Sequence, residues 1–275
     1  MKYLNYAAVA VLTGFFFFGC SGASKVESSL NNSQIKIDGE QSDWAGSLKT
    51  VKDDNLAYGF KNDGQNLYLC LVTSDASKAL RILTMGLTIW LDPGSSKDVI
   101  GVKFPLRPER GEMRDFRMQM PQQDSASPRS REERIQKLIS MQKELTVTNK
   151  EDLPLYTSEL STAKDFQAAI SYQKDQFVYE LKVPLEGNAN AQAVLKAHAG
   201  DDVEVKIETG KMDMPQRGGN GMRMGSGGEG GNRPPMGGGR EGGGGGGRRG
   251  QGGERGQGRR DFKPLDYTFD VKLAK

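Results

Sequence analysis

Short runs in which apolar and polar residues alternate dominate the chain after residue 35. In the last run, residues 267–273, every second residue is apolar. Such alternation is typical of a strand with one face in a core and the other in water. The same pattern, or a short apolar run bounded by turn residues, predicts strands over 35–37, 55–60, 66–73, 87–91, 99–105, 166–173, 177–184, 202–209 and 267–273.

Turn residues separate these runs at short intervals. Asn62-Asp63-Gly64 predicts a hairpin turn, and Lys174-Asp175 predicts a second one. Asp92-Pro93-Gly94 ends the strand that contains Trp90. Many short strands with frequent turns indicate an all-β fold, an antiparallel β-sandwich of the jelly-roll-like kind.

One stretch has a helical pattern instead. Within an insertion at 107–150, a polar loop leads into 131–145, where apolar residues recur at helical spacing. Ser130 and Glu133 have the spacing of a capping box. We therefore expect one amphipathic helix inserted between strands.

The first 19 residues have the layout of a signal peptide. Lys2 precedes an apolar run over 7–18, which is shorter than the roughly 20 apolar residues that span a bilayer. The ending Phe17-Phe18-Gly19-Cys20 resembles the lipobox of bacterial lipoproteins, which are cleaved before the cysteine and acylated on it. The resemblance implies a lipidated Cys20, a flexible linker over 20–34 and a lipid-anchored location in the cell envelope. In the sorting pattern of such lipoproteins, Ser21 after the cysteine implies the outer membrane. The sequence leaves open on which side of that membrane the domain lies.

The second cysteine argues against disulfides. Cys70 lies in an apolar strand and has no partner once Cys20 is acylated. We expect Cys70 to be a small core residue.

Charge and glycine are concentrated in one segment. Residues 214–260 contain nine Arg against three Glu and 22 of the 36 glycines, without any Val, Ile, Leu or aromatic residue. Such a composition buries too little apolar surface to offset the entropy of ordering, so we expect a long disordered Gly/Arg-rich loop. Without its charge of +6 the chain, which is +3 overall, would be mildly acidic.

Several short motifs resemble domains of the family-nine carbohydrate-binding-module type, also called DOMON-like. The motifs are Ile37-Asp38-Gly39 with Asp43-Trp44, the segments 63–68 and 88–93, and Tyr179 to Leu185. They occur in the family's order across 35–275, apart from the two insertions. The resemblance implies a single β-sandwich domain that is a non-catalytic module binding carbohydrate or another envelope ligand.

Sugar binding of this kind uses an aromatic platform with a polar rim. The chain has two tryptophans. Trp44 follows the opening turn and is expected to plug the core. Trp90 lies in a strand and is also expected in the core, yet it is the one candidate ligand-binding residue that the sequence offers.

Other function classes have less support. The chain lacks a nucleophile elbow, a phosphate-binding loop and any His or Cys cluster with metal-ligand spacing, so we expect no catalysis. Related sandwiches bind haem through Met with His or Lys, and His198 is the only histidine here. We expect no cofactor, although calcium and haem stay open, as does an envelope-scaffold role.

Pairs of methionines leave copper binding as a further alternative. Thioethers suit Cu(I), and one Met-x-Met spacing recurs at Met118 and Met120, Met212 and Met214, and Met222 and Met224.

The Arg-Gly repeats resemble RNA-binding segments but lack aromatic residues for stacking, so no nucleic acid is expected. The Gly/Arg-rich segment is better explained as a cationic arm that contacts anionic polysaccharide or lipid. The other explanation is an inert spacer.

Overall fold

A computed structural model describes residues 23–31, 35–52, 54–94, 98–119, 127–187, 193–210 and 264–275. The chain divides into two units, residues 1–211 with 264–275 and residues 212–263, and every described residue belongs to the first. The predicted signal peptide over 1–19, Cys20 and the Gly/Arg-rich segment over 214–260 lie outside the described residues.

The described residues form two β-sheets with helices between some of the strands. Sheet A has the strand order β1-β13-β12-β6-β7-β8-β9, and sheet B has the order β10-β11-β5-β4-β2 with β3 also paired to β4. The elements are β1 (Ser24–Glu27), β2 (Ser29–Leu30), β3 (Lys49–Thr50), β4 (Ala57–Asn62), β5 (Asn66–Thr73), α1 (Ala76–Met85), β6 (Leu87–Asp92), β7 (Ile100–Lys103), α2 (Arg110–Gln119), α3 (Pro128–Met141), β8 (Glu144–Asn149), β9 (Pro154–Glu159), β10 (Gln167–Gln173), β11 (Gln176–Pro184), β12 (Asp202–Thr209) and β13 (Asp266–Lys272).

The two sheets enclose one main hydrophobic core. In β12, Val203, Val205 and Ile207 are buried and alternate with more exposed charged residues. From sheet B, Phe177, Tyr179 and their alternate neighbours in β11 enter the same core. The predicted β-sandwich is confirmed, and all pairings within it are antiparallel except those of β1 with β13 and β2 with β4.

Several predicted boundaries agree with the structure. The predicted strands 66–73 and 202–209 match β5 and β12 residue for residue. The hairpin turn at Lys174-Asp175 is confirmed, and both residues have the positive φ that a tight hairpin turn requires. The predicted strand at 35–37 is wrong, because amides in this segment donate to the side chains of Asp43 and Glu180 instead of a neighbouring strand.

The helices differ from the expectation of a single one over 131–145. α3 begins earlier, because Ser127 caps it and Pro128 occupies its first turn, and it ends at Met141, before β8 begins. α2 occupies part of the predicted polar loop. α1 was not predicted, although Asp75 is a regular N-cap that accepts from two backbone amides.

The N-terminal segment is not a flexible linker throughout 20–34. β1 pairs with β13 in sheet A, and β2 pairs with β4 in sheet B, so the segment crosses from one sheet to the other at Ser28. There the Ser28 hydroxyl donates to Oδ1 of the buried Asn62 (2.6 Å), and the Asn62 amide donates to the carbonyl of Ala274 (2.9 Å). Edge-strand hydrogen bonds and the burial of Val26 account for this order.

Residues 35–48 cover the outer face of sheet B and form a second, smaller core. Trp44 is fully buried there, as predicted, and packs with Ile35, Tyr68 and Cys70. Cys70 is a buried free cysteine, in agreement with the sequence prediction. Lys61 lies over the Trp44 ring and donates to the carbonyl of Asp43.

Glu180 holds this covering segment in place. Its fully buried carboxylate accepts from the Trp44 indole N–H (2.7 Å) on one oxygen and from the amides of Asp38 (3.0 Å) and Gly39 (2.7 Å) on the other. Gly39 has φ +81°, and a Cβ there would press against the backbone of β10. Burial of the charged form raises the pKa of Glu180 despite these three hydrogen bonds, with Asp38 adding to the rise.

We expect Glu180→Gln to destabilise the fold by about 1–3 kcal/mol, because a glutamine side chain has one acceptor oxygen and turns its NH₂ group toward buried donors. Urea unfolding at neutral pH measures the loss. Glu40→Gln, in the same segment but on an exposed side chain, is the matched control and should change stability little. Equal stability of the two variants would contradict the role of Glu180.

Candidate functional site

The candidate site lies on the outer face of sheet A, around Trp90. In β6, Leu87, Ile89 and Leu91 are buried, so the alternate residues, including Trp90, point away from the core. The prediction that Trp90 is a core residue is therefore wrong. Large aromatic residues in strands usually pack in the core, whereas Trp90 is only partly buried, on the outer face.

The Trp90 indole lies over a glycine of the neighbouring strand. Gly101 of β7 is directly opposite Trp90, and a Cβ at Gly101 would be 2.7 Å from Cζ3 and 2.8 Å from Cε3 of the indole. The same Cβ would be 2.6 Å from Oγ1 of Thr148, which lies opposite Gly101 on β8. Gly101 thus provides the space in which the indole packs on the sheet.

Hydrogen bonds orient the ring. The indole N–H of Trp90 donates to Oε1 of Glu208 (2.8 Å), and the Lys206 ammonium donates to Oε2 of the same carboxylate (2.7 Å). Lys206 faces Trp90 on β12, and its pKa is raised mainly by the hydrogen bond to Glu208. The side chains of Lys206 and Glu208 are 38% and 30% exposed, so they remain within reach of a ligand.

Polar side chains surround the indole on three strands. Asp92 of β6 and Glu204 of β12 lie opposite each other, two residues along their strands from the pair Trp90 and Lys206. On the other side, Lys103 of β7 forms an ion pair with Asp152 (2.7 Å). The arrangement is an aromatic surface with charged hydrogen-bonding groups around it, which is chemically suited to a small polar ligand that has an apolar face.

The remaining residues singled out in the sequence do not join this site. Met118 lies on α2 with 72% of its surface exposed, and Met120, Met212, Met214, Met222 and Met224 lie outside the described residues, as does Cys20. His198 is an exposed residue 3.4 Å from both Glu186 and Asp201. The expectation of no cofactor, with copper and haem as open alternatives at these residues, therefore stays a prediction.

The described residues contain no group of three or more His, Cys, Asp or Glu side chains placed to hold a metal ion. Among the same residues, none of the helices is long and apolar enough to cross a membrane.

Comparison with known proteins gives distant structural neighbours. No family model and no curated protein matches the chain. A family-9 carbohydrate-binding module from Caldicellulosiruptor kristjanssonii in complex with glucose is similar at TM-score 0.33 and 10% identity, over 69% of this chain and 80% of the module. Its complex with cellotriose gives 0.33 and 12%, over 68% and 76%. A proposed carbohydrate-binding protein from Bacteroides uniformis gives 0.36 and 7%, over 68% and 84%.

Sequence reasoning missed most of the site. Glu204, Lys206 and Glu208 form the polar half of an alternating strand, which is a signal for a solvent-facing surface. Their proximity to Trp90 depends on the pairing of β12 with β6, two strands more than 100 residues apart. Gly101 carried the one local signal, since an isolated glycine in a strand often marks a close approach.

We expect Gly101→Ala to displace the Trp90 ring and to destabilise the fold by about 1–3 kcal/mol, because the new methyl group overlaps both the indole and Thr148. Tryptophan emission should shift to longer wavelength as Trp90 becomes more exposed, while Trp44 stays buried. Gly111→Ala is the control, since its Cβ meets no atom within 4 Å. Unchanged emission and unchanged stability of Gly101→Ala would contradict the packing of Trp90 on Gly101.

Proposed function

We propose that the protein is a non-catalytic carbohydrate-binding module of the cell envelope, anchored by lipid at Cys20, and that the Trp90 face is its sugar platform. The observation that carries the sugar proposal is the orientation of Trp90. Its indole packs over Gly101 on an outer sheet face, with its N–H held by Glu208.

Sugars match this surface chemically. A pyranose has an apolar C–H face that stacks on an aromatic ring, and hydroxyls around its edge that need hydrogen-bond partners. Asp92 and Glu204, paired across β6 and β12, are carboxylates that can accept from sugar hydroxyls. Lys206 can donate to hydroxyl oxygens from the strand opposite the ring.

The charges on this face favour neutral sugars. Asp92, Asp152, Glu204 and Glu208 outnumber Lys103 and Lys206 around the indole. Carboxylates repel the uronic acids of acidic polysaccharides and accept well from neutral hydroxyls. Glucose and cellotriose, the sugars in the two Caldicellulosiruptor complexes, are therefore suitable neutral probes.

Binding without hydrolysis fits the same geometry. Glycosidases need two carboxyl groups about 5–9.5 Å apart that flank the bond, one of them free to give a proton. Here one oxygen of Glu208 accepts from the Trp90 N–H and the other from the Lys206 ammonium. The carboxylate therefore suits a hydrogen-bond acceptor better than an acid catalyst.

We expect Trp90→Ala to weaken sugar binding by roughly tenfold or more, because it removes the stacking surface. Trp90→Phe should retain part of the affinity, since it keeps a ring but loses the N–H bond to Glu208. Calorimetric titration with cellotriose and glucose measures both, and Leu155→Ala, which removes an exposed apolar side chain elsewhere on sheet A, is the control. Equal affinity in wild type and Trp90→Ala, or no saturable binding across a panel of neutral glycans, would reject the proposal.

The anchoring part has a separate test. Cells fed a labelled fatty acid should incorporate it into the wild-type chain and into Cys70→Ala, whose cysteine is buried, but not into Cys20→Ala. The label, detected on the purified protein, reports acylation directly. Label that persists in Cys20→Ala would rule out acylation at this cysteine as the anchor.

A further inference from the structure

All three helices lie at the same end of the sandwich. α1 follows β5 and precedes β6, while α2 and α3 lie between β7 and β8. The end of β7 pairs with the beginning of β6, since Lys103 faces Thr88. α1 and α3 also contact each other. We call this end, which comprises 74–86, 106–119 and 127–143, the helix end.

The chain enters the sandwich at the helix end. β6 begins there, β12 is antiparallel to β6 and ends there, and β13, antiparallel to β12, begins there. β1 runs parallel to β13, so Ser24 is the end of β1 that points toward the helices. Three residues separate Cys20 from Ser24 in the sequence, so the two Cα atoms are at most about 14 Å apart.

The two ends of the sandwich carry opposite charge. The helix end has eleven Lys or Arg and six Asp or Glu. The opposite end, which we call the loop end, has three Lys and eight Asp or Glu over 62–65, 92–94, 98–99, 149–153, 185–187, 193–202 and 273–275. The counted segments, all of them described, thus carry +5 at the end where the chain enters and −5 at the opposite end.

α2 gives the helix end a basic face. Arg110, Arg114 and Arg117 recur at i, i+4 and i+7, so they share one side of the helix, and all three are exposed. Met118, next to this row, is the most exposed large apolar side chain among the described residues. Phe116 attaches the helix to the core from another side.

We propose that the helix end is a membrane-docking surface that binds anionic lipid headgroups through the arginine face of α2. The inference rests on the proposed anchor at Cys20, which brings this end within a short tether of the bilayer. Arginine side chains bind lipid phosphates, Met118 enters the headgroup layer, and the acidic loop end is repelled from the surface.

The first experiment measures docking without the anchor. Every core residue lies between Val26 and Leu273, so the chain from residue 20 with Cys20→Ser contains the whole core. It should sediment with vesicles of phosphatidylcholine and phosphatidylglycerol but not with phosphatidylcholine alone, and added salt should release it. Combined Arg110→Gln, Arg114→Gln and Arg117→Gln should weaken the binding by roughly tenfold or more.

The matched control replaces three lysines that lie away from the helix end, Lys150, Lys272 and Lys275, by glutamine. It should leave vesicle binding within about twofold of wild type. Equal weakening by both triple variants, indifference to phosphatidylglycerol, or retention on an anionic polysaccharide without binding to the vesicles would each overturn the proposal. Because this chain is not acylated, none of these outcomes depends on the fatty-acid label at Cys20.

The second experiment measures orientation in the acylated full chain. A fluorophore on Met118→Cys at the helix end should be quenched by headgroup-labelled lipids, and one on Leu153→Cys at the loop end should not. Both positions are exposed apolar residues, at 72% and 61% of their surface, and the native Cys70 is buried. Equal quenching at the two positions, or stronger quenching at Leu153→Cys, would overturn the orientation.

Discussion

The carboxylate of Glu180 is the constraint on which the rest of the structure depends. It joins the covering segment 35–48 to the outer face of sheet B through Trp44 and two backbone amides. A buried charge is costly unless hydrogen bonds compensate it, and here donors from one segment serve both oxygens. Because that segment closes sheet B, its Trp44 is unavailable to a ligand. The partly exposed aromatic face lies on sheet A, where Trp90 sits on Gly101.

Local sequence patterns predicted the parts of the fold that local physics determines. β5 matches the prediction because turn residues bound its apolar run, and β12 matches because apolar and polar residues alternate strictly along it. The boundary of α3 was misplaced because Leu145 continues the helical spacing while its neighbours Thr146 and Val147 belong to a strand. α1 was missed although Ala79, Ile82 and Leu83 recur at helical spacing after the N-cap Asp75.

The candidate site was less predictable because it is built from long-range pairings. Trp90 shares the outer face of β6 with Thr88 and Asp92, and the register of β6 between β7 and β12 determines which side chains surround it. The same register brings Lys206 opposite the ring, and it allows Glu208 to accept from the indole N–H. A one-residue slip in that register would turn the alternating charges of β12 into the core. Burial of Val203, Val205 and Ile207 therefore fixes the polar side chains around Trp90, the proposed sugar platform.

The proposed docking and the proposed sugar platform are compatible because they use different parts of the sandwich. Docking uses the end at which β6 begins, whereas Trp90 projects sideways from the middle of the same strand. With the helix end on the bilayer, the strands of sheet A point away from the membrane. The outer face of the sheet, with Trp90, is then accessible from the side to polysaccharide above the membrane. The acidic loop end then points outward, where it keeps anionic surfaces away from the neutral-sugar platform. The order that β1 imposes on the N-terminal segment matters here, since a long flexible linker would remove any preferred orientation.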